Sequence, residues 1–161
     1  MHPEAKSKIA VLGGTGKEGS GLALRWASAG HHIFIGSRSA ERAQAAAAAI
    51  NARIAADLAQ GSSNLAAAQH ADIVVLTVPY AAQLSTLEEV KIALAGKILI
   101  DVTVPLVPPQ VGRAQLPDGG SAVVKAQAML GPGVRVVSAF QNVSAELLAE
   151  LGHAIDCDVL V

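Results

Sequence analysis

Apolar residues along this chain gather in short continuous runs, at Ile9 to Leu12, Ile33 to Ile35, Ile73 to Val78, Ile98 to Val102, Val134 to Phe140 and Val159 to Val161. Continuous rather than alternating runs mark strands covered on both faces, the signature of a parallel sheet. Helical stretches separate them, at Lys17 to Ala29, Ala40 to Ala59, Ala82 to Leu94, Ser121 to Leu130 and Ser144 to Leu151. Strand and helix alternate, which predicts an α/β fold with a doubly wound, mostly parallel sheet and helices on both faces. Three stretches qualify the pattern. The alanine-rich AERAQAAAAAINARIAADLAQ reads as a packed helix, because alanine is the best helix former and Ile50, Ile54 and Leu58 recur every four residues. Where a doubly wound sheet carries its third strand, GSSNLAAAQH offers almost no strand signal, so that edge is expected to be weak or missing. VPLVPPQVGRAQLPDGGS, with four prolines, reads as a long loop after a strand, where α/β folds place function.

Composition narrows the class. The chain has 161 residues, suited to a single domain spanning 1–161, and its 52% hydrophobic and 16% charged content excludes a disordered chain. A net charge of -1 and 2% aromatic residues supply neither the basic surface nor the stacking platform of a nucleic-acid binder. Each apolar stretch is interrupted before the roughly 20 residues needed to cross a bilayer, so no membrane partner is expected. One cysteine, Cys157, excludes an internal disulfide framework, and MHPEAKSK lacks the apolar core of a secretory signal; both point to the cytoplasm. Cys157 falls in a predicted strand and reads as a small buried residue.

Candidate chemistry begins at the first strand's exit. Gly14, Gly16 and Gly19 form G-T-G-K-E-G between a strand and a helix containing Leu22 and Trp26. In a dinucleotide-binding turn the first glycine permits the tight bend, the second lets backbone approach a pyrophosphate, and the third lets helix pack on strand. The helix start then offers free N–H groups to the anion. That motif in that context predicts a Rossmann-like nucleotide site. The second strand, HHIFIGSR, ends where the adenosine ribose would lie, and there the chain has Ser37, Arg38 and then Arg42 instead of the acidic residue of an NAD site. A hydroxyl and two guanidiniums suit a 2′-phosphate, so NADP is favoured over NAD.

Four blocks, GGTGKEGSGLALRWASAGHHIFIGSRSAERA, DIVVLTVPY, IDVTVPL and VVSAFQNVSA, closely resemble the NADPH-dependent reductases of the deazaflavin coenzyme F420, in family order and over nearly the whole chain. The resemblance implies NADP as cofactor and coenzyme F420 as co-substrate. It implies Thr15, Gly16, Lys17 and Glu18 on the pyrophosphate and phosphate side, and Ser37, Arg38 and Arg42 around the 2′-phosphate, Arg42 matching a position that can be Lys. It further implies Val78, with Thr77, Pro79 and Tyr80, then Val104 and Ala145, at the nicotinamide. Family members continue beyond CDVLV with a part that helps form the deazaflavin pocket and the dimer, so the expectation is the NADP-binding part of such a protein. The weak third-strand edge touches none of these positions.

Hydride transfer between two stacked rings asks the protein for alignment and exclusion of water rather than proton transfer, so no catalytic acid or base is assigned. No metal site is expected either: His31 and His32 face opposite ways, and His70 and His153 lie near helix ends where imidazole suits the dipole. Asp101, at a strand end, reads as a partner of loop amides or of a ligand, and Ser144 as a helix cap. Because the glycine turn and Arg38 do not see the acceptor, two alternatives stand beside the F420 reading. One is an NADPH-dependent reductase of a flavin, metal chelate or imine; the other is a non-catalytic NADPH-binding module. A homodimer is expected from the open edge that a strand ending at Val161 would present.

Overall fold

The computed structural model describes residues 6–109 and 112–161. The apolar runs form β1 (Lys8–Leu12), β2 (His32–Ser37), β4 (Ile73–Leu76), β5 (Ile98–Asp101) and β6 (Arg135–Ser138), joined by β3 (Ala59–Ser63) into one sheet of order β3-β2-β1-β4-β5-β6. Every pairing is parallel. The chain starts in the middle, winds outward to β3, then returns across β1 to wind the other way, which is the order of a classical dinucleotide fold. The reversal between β1 and β4 opens a crevice at the carboxyl ends of those strands.

The helices are α1 (Lys17–Ser28), α2 (Ala40–Ile54), α3 (Asn64–His70), α4 (Gln83–Val90), α5 (Ala122–Leu130) and α6 (Ala145–Leu148), with 3₁₀ turns flanking α4 at Tyr80–Ala82 and Lys91–Leu94. Alternate residues of β1 serve opposite faces. Ile9 and Val11 pack with Leu22, Ala27, Ile50 and Leu148 under α1, α2 and α6, whereas Ala10 and Leu12 pack with Ala67, Leu87, Val90 and Ala126 under α3, α4 and α5. Both faces are covered, as continuous apolar strands require.

The structure corrects four expectations. The third strand is present: Ala59–Ser63 pairs with Ile33–Ser37, and a helix, α3, follows it at once. The strand lacks apolar signal because α2 runs directly over it, so close that a Cβ on Gly61 would collide with the backbone of Ala43 and Gln44. Only glycine fits at that point of the crossing. The alanine-rich helix stops at Ile54 rather than Ala59, closed by Ala55 in the left-handed region at φ 52°. No strand forms at Val159–Val161, whose side chains are exposed, so the edge-based case for self-association falls with it. Cys157 is accordingly exposed rather than buried in a strand.

After β6 the chain folds back on α1. Leu148 packs against Gly21, whose small size admits it, and the Arg25 guanidinium donates to the carbonyls of Leu147, Leu148, Glu150 and His153 at 2.8–3.0 Å. Trp26 meets Phe140 edge to face with ring centroids 5.8 Å apart. No helix among the described residues is long and apolar enough to cross a membrane.

Candidate nucleotide cleft

β1 exits into a turn that only small residues can form. Gly13 has φ 74°, and a Cβ there would meet Val78 Cγ1 at 2.7 Å; one on Gly14 would meet the Val11 carbonyl oxygen at 2.7 Å. Gly13 N and Gly14 N both donate to the Gly36 carbonyl, which ties the turn to the exit of β2. A Cβ on Gly19 would strike the Thr77 hydroxyl and approach Gly14 Cα at 2.9 Å, so α1 rises tightly against the start of the next loop. Thr77 closes the floor by donating both its N–H and its hydroxyl to the Leu12 carbonyl.

α1 differs from its neighbours at its start. Serines cap α2, α3, α5 and α6, with Ser39, Ser63, Ser121 and Ser144 each accepting from a backbone N–H of the first turn. At α1 the capping position is Gly16, which has no side chain to offer, so the first-turn N–H groups and the positive end of the helix dipole are left for a ligand.

These elements border a cleft of about 870 Å³ at the carboxyl ends of the strands. One wall carries Thr15, Gly16, Lys17 and Glu18 from the turn; another carries Ser37, Arg38, Ser39 and Arg42; the far end carries Val78, Pro79, Tyr80 and Val104. Of the residues the sequence singles out, Thr15, Gly16, Lys17, Glu18, Ser37, Arg38, Arg42, Val78 and Val104 meet here, while Gly14 is packed beneath the turn and Ala145 opens α6 outside the cleft wall. Among the described residues no hydrogen bond or ion pair engages the Arg38 or Arg42 guanidinium. The neighbouring Glu41 is occupied elsewhere: its carboxylate accepts from the Ser39 hydroxyl at 2.8 Å, and hydrogen bonds hold its pKa below the usual range. Half-buried Glu18 is the opposite case, its pKa pushed up to about 6 by loss of solvent.

Asp101 is fully buried and serves the loop. It accepts from Thr103 N at 2.9 Å and from Gln83 Nε2 at 2.6 Å, and the same amide lies within 3.0 Å of the Thr103 hydroxyl and 3.3 Å of the Ala122 carbonyl. Gln83 opens α4 just after the Val78–Tyr80 bank, and Thr103 belongs to the Val102–Leu106 bank, so one buried network ties the two sides of the cleft's apolar end together. Sequence reading missed Gln83, because a glutamine at a helix start carries no signal until its partner is known. It also missed Asn64, which the unrecognised third strand delivers to the cleft wall.

A glycine turn, an uncapped helix start and an unopposed pair of arginines at the switch point of a parallel sheet define a dinucleotide-binding α/β protein of the Rossmann type. Residues 8–105 match the family described as NADP oxidoreductase, coenzyme F420-dependent. The chain is 45% identical over 160 residues to the F420-dependent NADP reductase of Methanothermobacter marburgensis, covering 96% of this chain and 71% of that protein. With the same-named protein of Methanocaldococcus jannaschii it shares 42% identity over 162 residues, again covering 96% and 71%. Among solved structures, a putative F420-dependent NADP reductase from an Arthrobacter species superimposes with a TM-score of 0.69 at 28% identity, over 88% of this chain and 65% of that one. A Plasmodium falciparum pyrroline carboxylate reductase, solved with NADP bound, shares the fold at a TM-score of 0.56 and 24% identity, over 83% and 41% of the two chains. The chain belongs to the coenzyme F420-dependent NADP oxidoreductase family.

Proposed function

We propose that this chain is the NADP-binding part of an oxidoreductase that passes hydride between NADPH and the deazaflavin coenzyme F420. The observation that carries the reading is the pairing, within one cleft, of an uncapped helix start with two guanidiniums that no described residue hydrogen-bonds or pairs with. An anion at the first and a second anion at the other are what a dinucleotide with a 2′-phosphate supplies. Gly16, Lys17 and the α1 amides hold the pyrophosphate; Ser37, Arg38 and Arg42 hold the 2′-phosphate; Val78, Pro79 and Val104 shape the nicotinamide end. When bound, the nicotinamide supplies the hydride chemistry. The protein's share is orientation and exclusion of water, which agrees with apolar side chains at the reacting end and with Asp101 being buried away from the cleft. The same reading carries with it a homodimer in the cytoplasm, and sedimentation measures that association state.

Titration with NADPH and NADH, followed by absorbance of the deazaflavin on mixing, tests the reading directly. Preference for NADPH and bleaching of oxidised F420 are expected. Arg38→Glu is expected to weaken NADPH binding by about 2–3 kcal/mol, the scale of a hydrogen bond to a charged group, with little effect on NADH. Equal affinity of wild type for the two dinucleotides would overturn the cofactor assignment, and NADPH binding without deazaflavin turnover would remove the acceptor from it.

A further inference from the structure

Asn64 is only 2% exposed, yet it contributes to the cleft wall alongside Ser37 and Arg38. It follows β3 directly and lies against Gly36: a Cβ on that glycine would meet Asn64 Oδ1 at 2.9 Å and Asn64 Cα at 3.1 Å. Gly36 is the residue whose carbonyl receives the amides of the glycine turn. Asn64 therefore stands where the exit of β2 meets that turn. Its Oδ1 is buried and accepts no hydrogen bond from any described residue. The helix beginning there does not use the carboxamide either, since the Ser63 hydroxyl already accepts from Ala66 N. A buried amide oxygen without a donor is costly, and a wall of a ligand cleft is the place where the missing donor arrives with the ligand.

We propose that Asn64 is a specificity-determining residue for the adenosine half of the dinucleotide, its carboxamide oxygen accepting from the ribose 3′-hydroxyl. The inference rests on the dinucleotide reading above. With the 2′-phosphate at Arg38 and Arg42 and the pyrophosphate at the glycine turn, the ribose carbon between those two anions carries the free hydroxyl, and Asn64 lines the same cleft against Gly36, the residue that joins the exit of β2 to that turn. Rotation of the carboxamide about its last torsion, which is soft, turns the oxygen toward the cleft without moving the backbone.

The test compares 2′-phospho-ADP-ribose with its analogue lacking that 3′-hydroxyl, by calorimetric titration into wild type, Asn64→Ala and Asn64→Asp. Wild type is expected to bind the hydroxyl-bearing ligand about tenfold more tightly. Asn64→Ala should lose that preference while binding the deoxy analogue as before. Asn64→Asp keeps an acceptor oxygen, so it should keep the preference even though its charge beside the phosphate weakens both ligands. Equal affinity of wild type for the two ligands, or an unchanged preference in Asn64→Ala, would overturn the proposal and leave the dinucleotide reading standing. Failure of wild type to bind either ligand would overturn both.

Discussion

At the scale of single residues, the least comfortable group in the cleft is Glu18. Burial raises its pKa from 4.5 to about 6, so the folded protein holds that proton more tightly than the unfolded chain does. The linkage then has a fixed sign. Below pH 4.5 both states are protonated and nothing is lost; between 4.5 and about 6 the unfolded carboxyl ionises more readily, and stability falls; above that the loss is constant. The full loss would be about 2 kcal/mol for a buried group, and about 1 kcal/mol or less for a side chain that is half exposed. Glu18→Gln is therefore expected to match wild type in acid and to become the more stable protein as pH rises through this window, which denaturant unfolding at several pH values measures. Much of this residue-level picture is legible in the sequence, because G-T-G-K-E-G and Ser37-Arg38 owe their positions to strand ends that apolar runs already mark. Asn64 and Gln83 are not legible, since each matters through a partner far away in the chain.

At the scale of elements, the crossing of α2 over β3 decides how much of the edge could be anticipated. Five strands announce themselves as apolar runs, and in β1, β2, β4 and β5 side chains of the helices bury most of the strand. β3 is built from Ala-Gln-Gly-Ser-Ser because α2 presses its backbone, and the small Ala43 and Ala47, onto the sheet there. Small residues are what a close approach selects, and they erase the apolar signature by which a strand is recognised. Gly61→Ala tests this. The added methyl has no room, and overpacking of this kind costs about 1–3 kcal/mol or more, so a clear drop in the denaturation midpoint is expected. A neutral outcome would mean that α2 can lift away from β3. The strand expected at Val159–Val161 fails for the converse reason. Its apolar letters match a strand, but no neighbouring edge receives them.

At the scale of the whole molecule, the stretch from Ala145 to His153 is held to α1 by the packing of Leu148 on Gly21 and by the hydrogen bonds of one side chain. Arg25 reaches four carbonyls at the end of a four-residue helix, two of which, those of Leu147 and Glu150, also accept from backbone amides, and Arg53 adds a fifth bond to the Ala149 carbonyl at 2.8 Å. Arg25→Ala is expected to raise hydrogen exchange across that stretch by at least tenfold while leaving the protection of β1, β4 and β5 unchanged, because Arg25 itself lies outside the buried clusters that cover the sheet. Loss of protection throughout the sheet would show instead that the C-terminal stretch and the core unfold as one unit.

The network of Gln83, Asp101 and Thr103 has a consequence for how a ligand is received. Both banks of the apolar end are already fastened to each other through the buried junction of Gln83, Asp101 and Thr103, so a guest arriving there finds a preformed slot rather than two loops it must recruit. The conformational toll of assembling that slot was met during folding, and what remains to the newcomer is alignment alone.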